Sequence, residues 1–365
     1  MQKKRLILFQ PFIGPYRIDF TNDLNQAFEA KVCLKLPHCK GQAFEEKDIL
    51  GQLNYVPHYL PTGSMRQLFK ELRKVIISFK PDIVVTFEFD IITAFVLIWR
   101  WMTRGHFKIV GMSDDSYDML IGHGFTWKHT IGRKLLAKHL DDIILVEPDA
   151  VDWYRKKYHI GYFFPIIRDE KIVSKMYEAA VPLLQRTMEQ YHLSGKYIYL
   201  YVGRLASTKN IPVLIDAFSG LDPSKNQLVI VGDGPEADNL RKKAEELGIN
   251  ILFTGQLRGP ALYAWYLLAH SFILPSIKEP FGAVTNEALI GGCCAVISQK
   301  AGSRCLVDEG INGYIFDPYS VEDLRKKMIL SKELYCSSTK LPRGSKMIYH
   351  YDDMFESLCK MLYSI

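Results

Sequence analysis

Two carboxylates, Glu279 and Glu287, flank the Pro280-Phe281-Gly282 turn in the segment Glu279-Pro280-Phe281-Gly282-Ala283-Val284-Thr285-Asn286-Glu287. Carboxylates at either edge of a turn accept hydrogen bonds from the hydroxyls of a sugar or ribose. Ahead of the turn, Ser271 to Ser276 reads as a short buried strand ended by Pro275, and Asn286 to Ile290 continues as a helix into Gly291-Gly292. A helix start offers unbonded N–H groups and the positive end of a dipole, which suits phosphate oxygens. Taken alone, each glutamate reads as a solvated loop residue or a first-turn helix acid. A ligand role rests on the pair and on its company.

Two cations supply that company. After an apolar run from Tyr197 to Val202 comes Gly203-Arg204-Leu205-Ala206-Ser207-Thr208-Lys209-Asn210, leading into a helix near Pro212. Open α/β sheets bind ligands at the carboxyl ends of strands, and an arginine with a lysine there neutralises a leaving diphosphate. The next strand ends in Gly232-Asp233-Gly234-Pro235-Glu236-Ala237, a formal G-x-G-x-x-A match. A dinucleotide site would want an acid after the following strand, but Ile251 to Thr254 runs into Gly255-Gln256. Gly232 and Gly234 are therefore assigned to close strand–helix packing. In the first half, Gly14 follows the opening strand, where a small residue lets backbone approach phosphate. Glu88 with Asp90, and Asp114 with Asp115, end later strands. Asp114 is read either as an acceptor or base for a substrate hydroxyl, or, with Ser113 and Asp115, as a cap for the next helix.

Glu279 to Glu287 resembles the E-x7-E signature of the family 4, or group 1, glycosyltransferases, and Gly203-Arg204 with Lys209 resembles that family's Gly-Arg…Lys element in order and spacing. The resemblance implies an α/β fold of two doubly wound Rossmann-like domains facing across a cleft, the B-type architecture, with a nucleoside diphosphate sugar as donor substrate and retention of anomeric configuration. Carried over residue by residue, Arg204 and Lys209 would hold the donor phosphates. Glu279 would hold sugar hydroxyls, Phe281, Gly282, Ala283 and Val284 would offer backbone amides, and Glu287 would accept from the ribose. Gly203 and Gly234 would lie near the nucleotide, Thr254 beside the base, and Gly14 against the diphosphate. The expected catalytic set is Glu279, Arg204, Lys209 and Asp114, with no metal and no cofactor. Relatives place a histidine near Asp114, where this chain is acidic.

Elements of a matching kind surround these residues. Short apolar runs alternate with amphipathic helix-length segments, the pattern of parallel strands joined by crossover helices. Strands are expected at Arg5–Phe9, Lys31–Leu36, Ile83–Phe87, Lys108–Met112 and Ile143–Val146, then at Tyr197–Val202, Gln227–Val231, Ile251–Thr254, Ser271–Leu274, Ala295–Ser298 and Gly313–Phe316. A helix from Asp169 to Tyr191 should be interrupted near Pro182. Residues 1–166 are expected to form the acceptor-binding domain and 167–344 the nucleotide-sugar domain. Residues 345–365 should form a helix crossing back onto the first.

Length and composition agree with two soluble lobes: 365 residues, 48% hydrophobic and 24% charged. The apolar run Ile91–Trp99 is too short to span a bilayer and reads as a buried helix. Lys3-Lys4-Arg5 before Leu6 to Phe9 lacks the length and cleavage site of a signal peptide. Seven cysteines without regular spacing point to reduced thiols, hence a cytoplasmic protein without a structural zinc site. Of the net charge of +6, the residues through Pro165 hold 23 Lys and Arg against 18 Asp and Glu, and the rest 23 against 22. A basic first half is attracted to anionic partners such as lipid headgroups. Within it, Thr126–Leu140 sets Lys128, Arg133, Lys134 and Lys138 beside Trp127, Ile131, Leu135 and Leu136, the pattern of a basic amphipathic helix. The leading reading is transfer to a glycan or lipid-linked glycan acceptor in cell-surface polysaccharide synthesis, at the inner membrane face, with no nucleic-acid partner. The alternatives are a nucleotide-sugar epimerase or phosphorylase of the same fold, or a catalytically silent sugar-nucleotide-binding partner of a membrane assembly complex.

Overall fold

The computed structural model describes residues 2–36, 49–122, 127–335 and 341–365, the Lys128 side chain excepted. The chain divides into two compact units, Met1–Ile166 with Asp352–Ile365, and Ile167–Tyr351. Each is built on a parallel sheet.

In the first unit the strands are β1 (Arg5–Gln10), β2 (Glu29–Leu34), β3 (His58–Tyr59), β4 (Ile83–Phe87), β5 (Lys108–Ser113), β6 (Asp142–Leu145) and β7 (Tyr162–Phe163), in the order β3-β2-β1-β4-β5-β6-β7. The second unit holds β8 (Tyr197–Val202), β9 (Asn226–Val231), β10 (Ile251–Gly255), β11 (Ser271–Leu274), β12 (Cys294–Ser298) and β13 (Gly313–Phe316), ordered β10-β9-β8-β11-β12-β13. Runs such as Leu6–Phe9 and Leu228–Val231 are buried along their length. Helices on both faces of a parallel sheet require that continuous burial rather than alternation. The strand order reverses between β1 and β4 and between β8 and β11, and each reversal opens a crevice at the strands' carboxyl ends.

The apolar runs end within a few residues of the expected boundaries. The two-residue edge strands β3 and β7 carry no periodic signal and exist through their pairing with β2 and β6. Pro182 breaks its helix as expected, leaving Glu170–Ala180, a 3-10 turn at Val181–Leu183 and Leu184–Gln190. The last helix, Tyr351–Ser364, lies largely in the first unit, where Tyr363 stacks on Phe28 with ring centroids 4.8 Å apart and donates to the Ala27 carbonyl.

One expectation is corrected. The run Ile91–Trp99 lies in a helix, Ile91–Thr103, that is buried on one flank only. Ile92, Val96 and Leu97 enter the core, whereas Ile98, Trp101 and Met102 face solvent. An apolar run shows that a helix is hydrophobic all round, not that every side of it is covered.

Candidate active site

In the second unit, the turns after β8, β9 and β11 hold most of the residues expected at the site. The turns after β8 and β9 are laced together: the Gly203 amide donates to the Val231 carbonyl at 3.0 Å, Leu205 to Asp233 at 2.9 Å, and Glu236 to Leu205 at 3.0 Å. That lacing leaves no room for side chains. A Cβ on Gly232 would stand 1.9 Å from the Gly203 carbonyl oxygen, and one on Gly234 would stand 2.4 Å from that of Leu205. These glycines therefore serve turn-to-turn packing, a correction to the strand–helix packing expected of them. The Gly234 amide is engaged by the Asp233 carboxylate at 2.7 Å.

Lys209 closes the 3-10 turn Ser207–Lys209, and Asn210 after it adopts a left-handed conformation tied to the Pro318 carbonyl at 2.8 Å. From there the Lys209 ammonium donates to the Glu279 carboxylate, which also accepts from Ser276 at 3.4 Å. Glu279 is fixed through its backbone as well, because its carbonyl accepts from Gly302. Arg204 lies in the same turn, its carbonyl accepting from the Tyr201 hydroxyl at 3.0 Å. Its side chain is exposed and makes no ion pair among the described residues.

Gly282 takes a φ of +95°, where a side chain would also meet Leu274 at 2.6 Å. The Thr285 and Asn286 amides turn back to the Gly282 and Ala283 carbonyls. Among the described residues no hydrogen bond is recorded from the amides of Gly282, Ala283 and Val284, so these can meet an anion at the start of helix Val284–Ile290. Phe281 has its ring buried and contributes main chain alone. Thr254 is half-buried, its hydroxyl donating to the Gly255 carbonyl.

Glu287 is held in a network the sequence reading missed. Tyr263 donates to one carboxylate oxygen and Tyr266 to the other, each at 3.2 Å, with the buried Arg168 guanidinium 3.6 Å away. Burial raises the carboxyl's pKa, while Arg168 and both tyrosines pull it back. Each oxygen keeps acceptor capacity, but the group is first a buried anion with three partners. Tyr263 and Tyr266 stand three apart on helix Gly259–Leu268, a spacing that could have signalled a shared face. Nothing local marks Arg168.

In the first unit, Gly14 is extended and precedes the 3-10 turn Pro15–Arg17, whose buried Arg17 meets Asp114 at 2.5 Å. Asp114 is thus an ion-pair partner. Neither it nor Asp115 caps the next helix, since Ser116 does so through the Met119 amide. Asp115 is buried against Tyr154 and Arg133, and burial lifts its pKa to about 6. Glu88 keeps an exposed edge, yet partial burial and then the carboxylates of Asp115, Asp114 and Asp90 raise it to about 7. Asp90 caps helix Ile91–Thr103.

Residues 185–341 match the family model for glycosyl transferases group 1. A GDP-mannose-dependent alpha-mannosyltransferase of Corynebacterium glutamicum is 32% identical over 171 residues, 46% of this chain and 39% of that protein. Mannosylfructose-phosphate synthase of Agrobacterium fabrum is 27% identical over 218 residues, 55% of this chain and 47% of the relative. The chain thus spans less than half the length of these curated relatives. Over the whole chain the structure resembles Anabaena HepE in complex with UDP, with a TM-score of 0.76, 18% identity and coverage of 99% and 100%. It likewise resembles the apo lipopolysaccharide outer core galactosyltransferase WaaB, with a TM-score of 0.74, 17% identity and 99% coverage of both chains. At such identities the likeness is one of fold.

Proposed function

We propose that this chain, whose residues 185–341 belong to the group 1 glycosyltransferases and whose fold is the B-type architecture of those enzymes, moves a sugar from a nucleoside diphosphate donor to a glycan or lipid-linked glycan acceptor. The observation that carries this reading is the meeting of Lys209 and Glu279 at the strand-order reversal of the second unit, with Arg204 in the same turn. A guanidinium and an ammonium there oppose the charge that grows on a departing diphosphate. Glu279 binds sugar hydroxyls, the Gly282 to Val284 amides add donors, and Glu287 and Thr254 border the nucleoside.

Transfer proceeds with retention. The acceptor oxygen bonds to the anomeric carbon as the bond from that carbon to the phosphate oxygen breaks on the same face, and the acceptor proton passes to the departing phosphate. No protein base is required on this route. The Arg17 partnership of Asp114 fits this route, because the buried guanidinium already occupies an oxygen of that carboxylate. Asp114 then acts by positioning the turn that carries Gly14. A peripheral place at a membrane, in the making of a cell-surface polysaccharide, belongs to the same reading.

Thermal-shift measurements over a panel of nucleoside diphosphate sugars test it, followed by transfer assays with the donor that stabilises the chain. One donor is expected to raise Tm in the wild type and to lose that effect in Lys209→Ala. If no member of the panel stabilises the protein, the donor-site assignment fails.

A further inference from the structure

Helices Ile91–Thr103 and Trp127–Leu136 lie side by side in the first unit, and two adjoining hollows that share Ala94, Leu135 and Leu136 form a groove between them. Their approach is close, since a Cβ on Gly132 would stand 2.7 Å from the Phe89 carbonyl oxygen. Both helices expose apolar side chains beside that groove. On the first these are Ile98, Trp101 and Met102, with Trp101 81% exposed; on the second they are Trp127, Ile131 and Leu135, with Trp127 69% exposed. An apolar face of this extent on one surface marks an interaction site.

Charge around the face narrows the partner. Lys134, Lys138 and Arg104 are exposed beside these apolar groups. Arg133, on the second helix, is turned inward to Asp115 and the Trp153 ring. The basic face expected of Thr126–Leu140 is therefore carried by Lys134 and Lys138, Thr126 and the Lys128 side chain lying outside the described residues. Among the described residues, two of the three acids that line the groove are engaged. Asp141 is paired with Arg100 and Lys108 at one end of the groove, and Asp90 with Lys35 at the other, where Glu88 also lines it.

We infer that this face docks on the surface of an anionic lipid bilayer, with Trp101 and Trp127 at headgroup level, Ile98, Ile131 and Leu135 reaching the acyl boundary, and Lys134, Lys138 and Arg104 against phosphates. Tryptophan favours that interface because its ring is apolar and its N–H wet, and basic side chains are drawn to anionic headgroups. A second copy of the chain is a poorer occupant: a two-fold contact would set the same cations against each other. The inference deepens the proposed place at a membrane and uses none of the donor-site residues, so either can fail alone.

The test is co-sedimentation of the full chain with phosphatidylcholine vesicles, with and without phosphatidylglycerol, alongside tryptophan emission. Binding is expected with the anionic vesicles only, weakened by salt and accompanied by a blue shift. Trp101→Ala and the double change Lys134→Glu with Lys138→Glu should each lower the partition coefficient about tenfold or more, while the unfolding temperature and donor stabilisation stay at wild-type values. Absence of binding to anionic vesicles overturns the inference, as does binding unchanged by these substitutions. Dimerisation in solution that Trp101→Ala abolishes also overturns it, in favour of a second copy.

Discussion

Lys209 and Glu279, 70 residues apart in the chain, are ion-paired across the point where β8 and β11 lie side by side. Neither side chain is fully buried, and each belongs to a turn whose backbone is fixed independently, by Asn210 and by Gly302. On the proposed function, the pair would orient the lysine for a diphosphate, which would share its ammonium with the carboxylate. Lys209→Ala is expected to cut kcat/KM for sugar transfer by about 10²–10³-fold, the range for losing one preorganised donor, with little change in Tm. Steady-state kinetics beside a melting curve would check this; full activity in the variant removes Lys209 from the mechanism.

Gly232→Ala acts through the scaffold. Its Cβ would be placed 1.9 Å from the Gly203 carbonyl oxygen, so the two turns must separate and carry Arg204 with them. Both the unfolding temperature and the affinity for donor should fall together. Retained donor affinity in a folded variant would show that the two turns move independently.

Glu287→Ala removes a buried carboxylate from beside the Arg168 guanidinium and from the Tyr263 and Tyr266 hydroxyls. Removing one member of a buried pair costs about 3–5 kcal/mol, which in a unit of this size lowers Tm by roughly 6–20 °C. Calorimetry separates this from a contact made to ribose alone, whose loss would weaken donor binding and leave Tm unmoved.

Glu88 makes stability depend on pH. Its carboxyl pKa is raised in the fold from the model-compound value of 4.5 to about 7. The native state therefore holds a proton that the unfolded chain releases, and the group's contribution is complete below pH 4.5 and lost as pH rises through 7. Glu88→Gln abolishes this loss. The difference in Tm between variant and wild type should be more favourable at pH 8 than at pH 5, by on the order of 2 °C, a modest figure because the group keeps an exposed edge. A difference that is flat with pH would show that Glu88 titrates normally.

Much of this protein could be read from residue order because the relevant physics is local. Apolar runs mark buried parallel strands, Pro182 cannot continue a helix, and Glu279, the Gly282 turn and Glu287 fall within one short segment. That segment, with Gly203, Arg204 and Lys209, lies within residues 185–341, which match the group 1 glycosyltransferase model.

Partnerships were not readable, since they depend on which turns the sheet order brings together. The Arg17 partner of Asp114 lies 97 residues earlier in the chain and has no local signature. The partners of Glu287, namely Tyr263, Tyr266 and Arg168, likewise come from other elements of the chain. The helix Ile91–Thr103 looked buried because composition reports how apolar a segment is, whereas coverage depends on neighbours that come from elsewhere in the chain. Periodicity arises from contacts a few residues apart, but an ion pair or a bare apolar face is set by long-range packing, which no local pattern encodes.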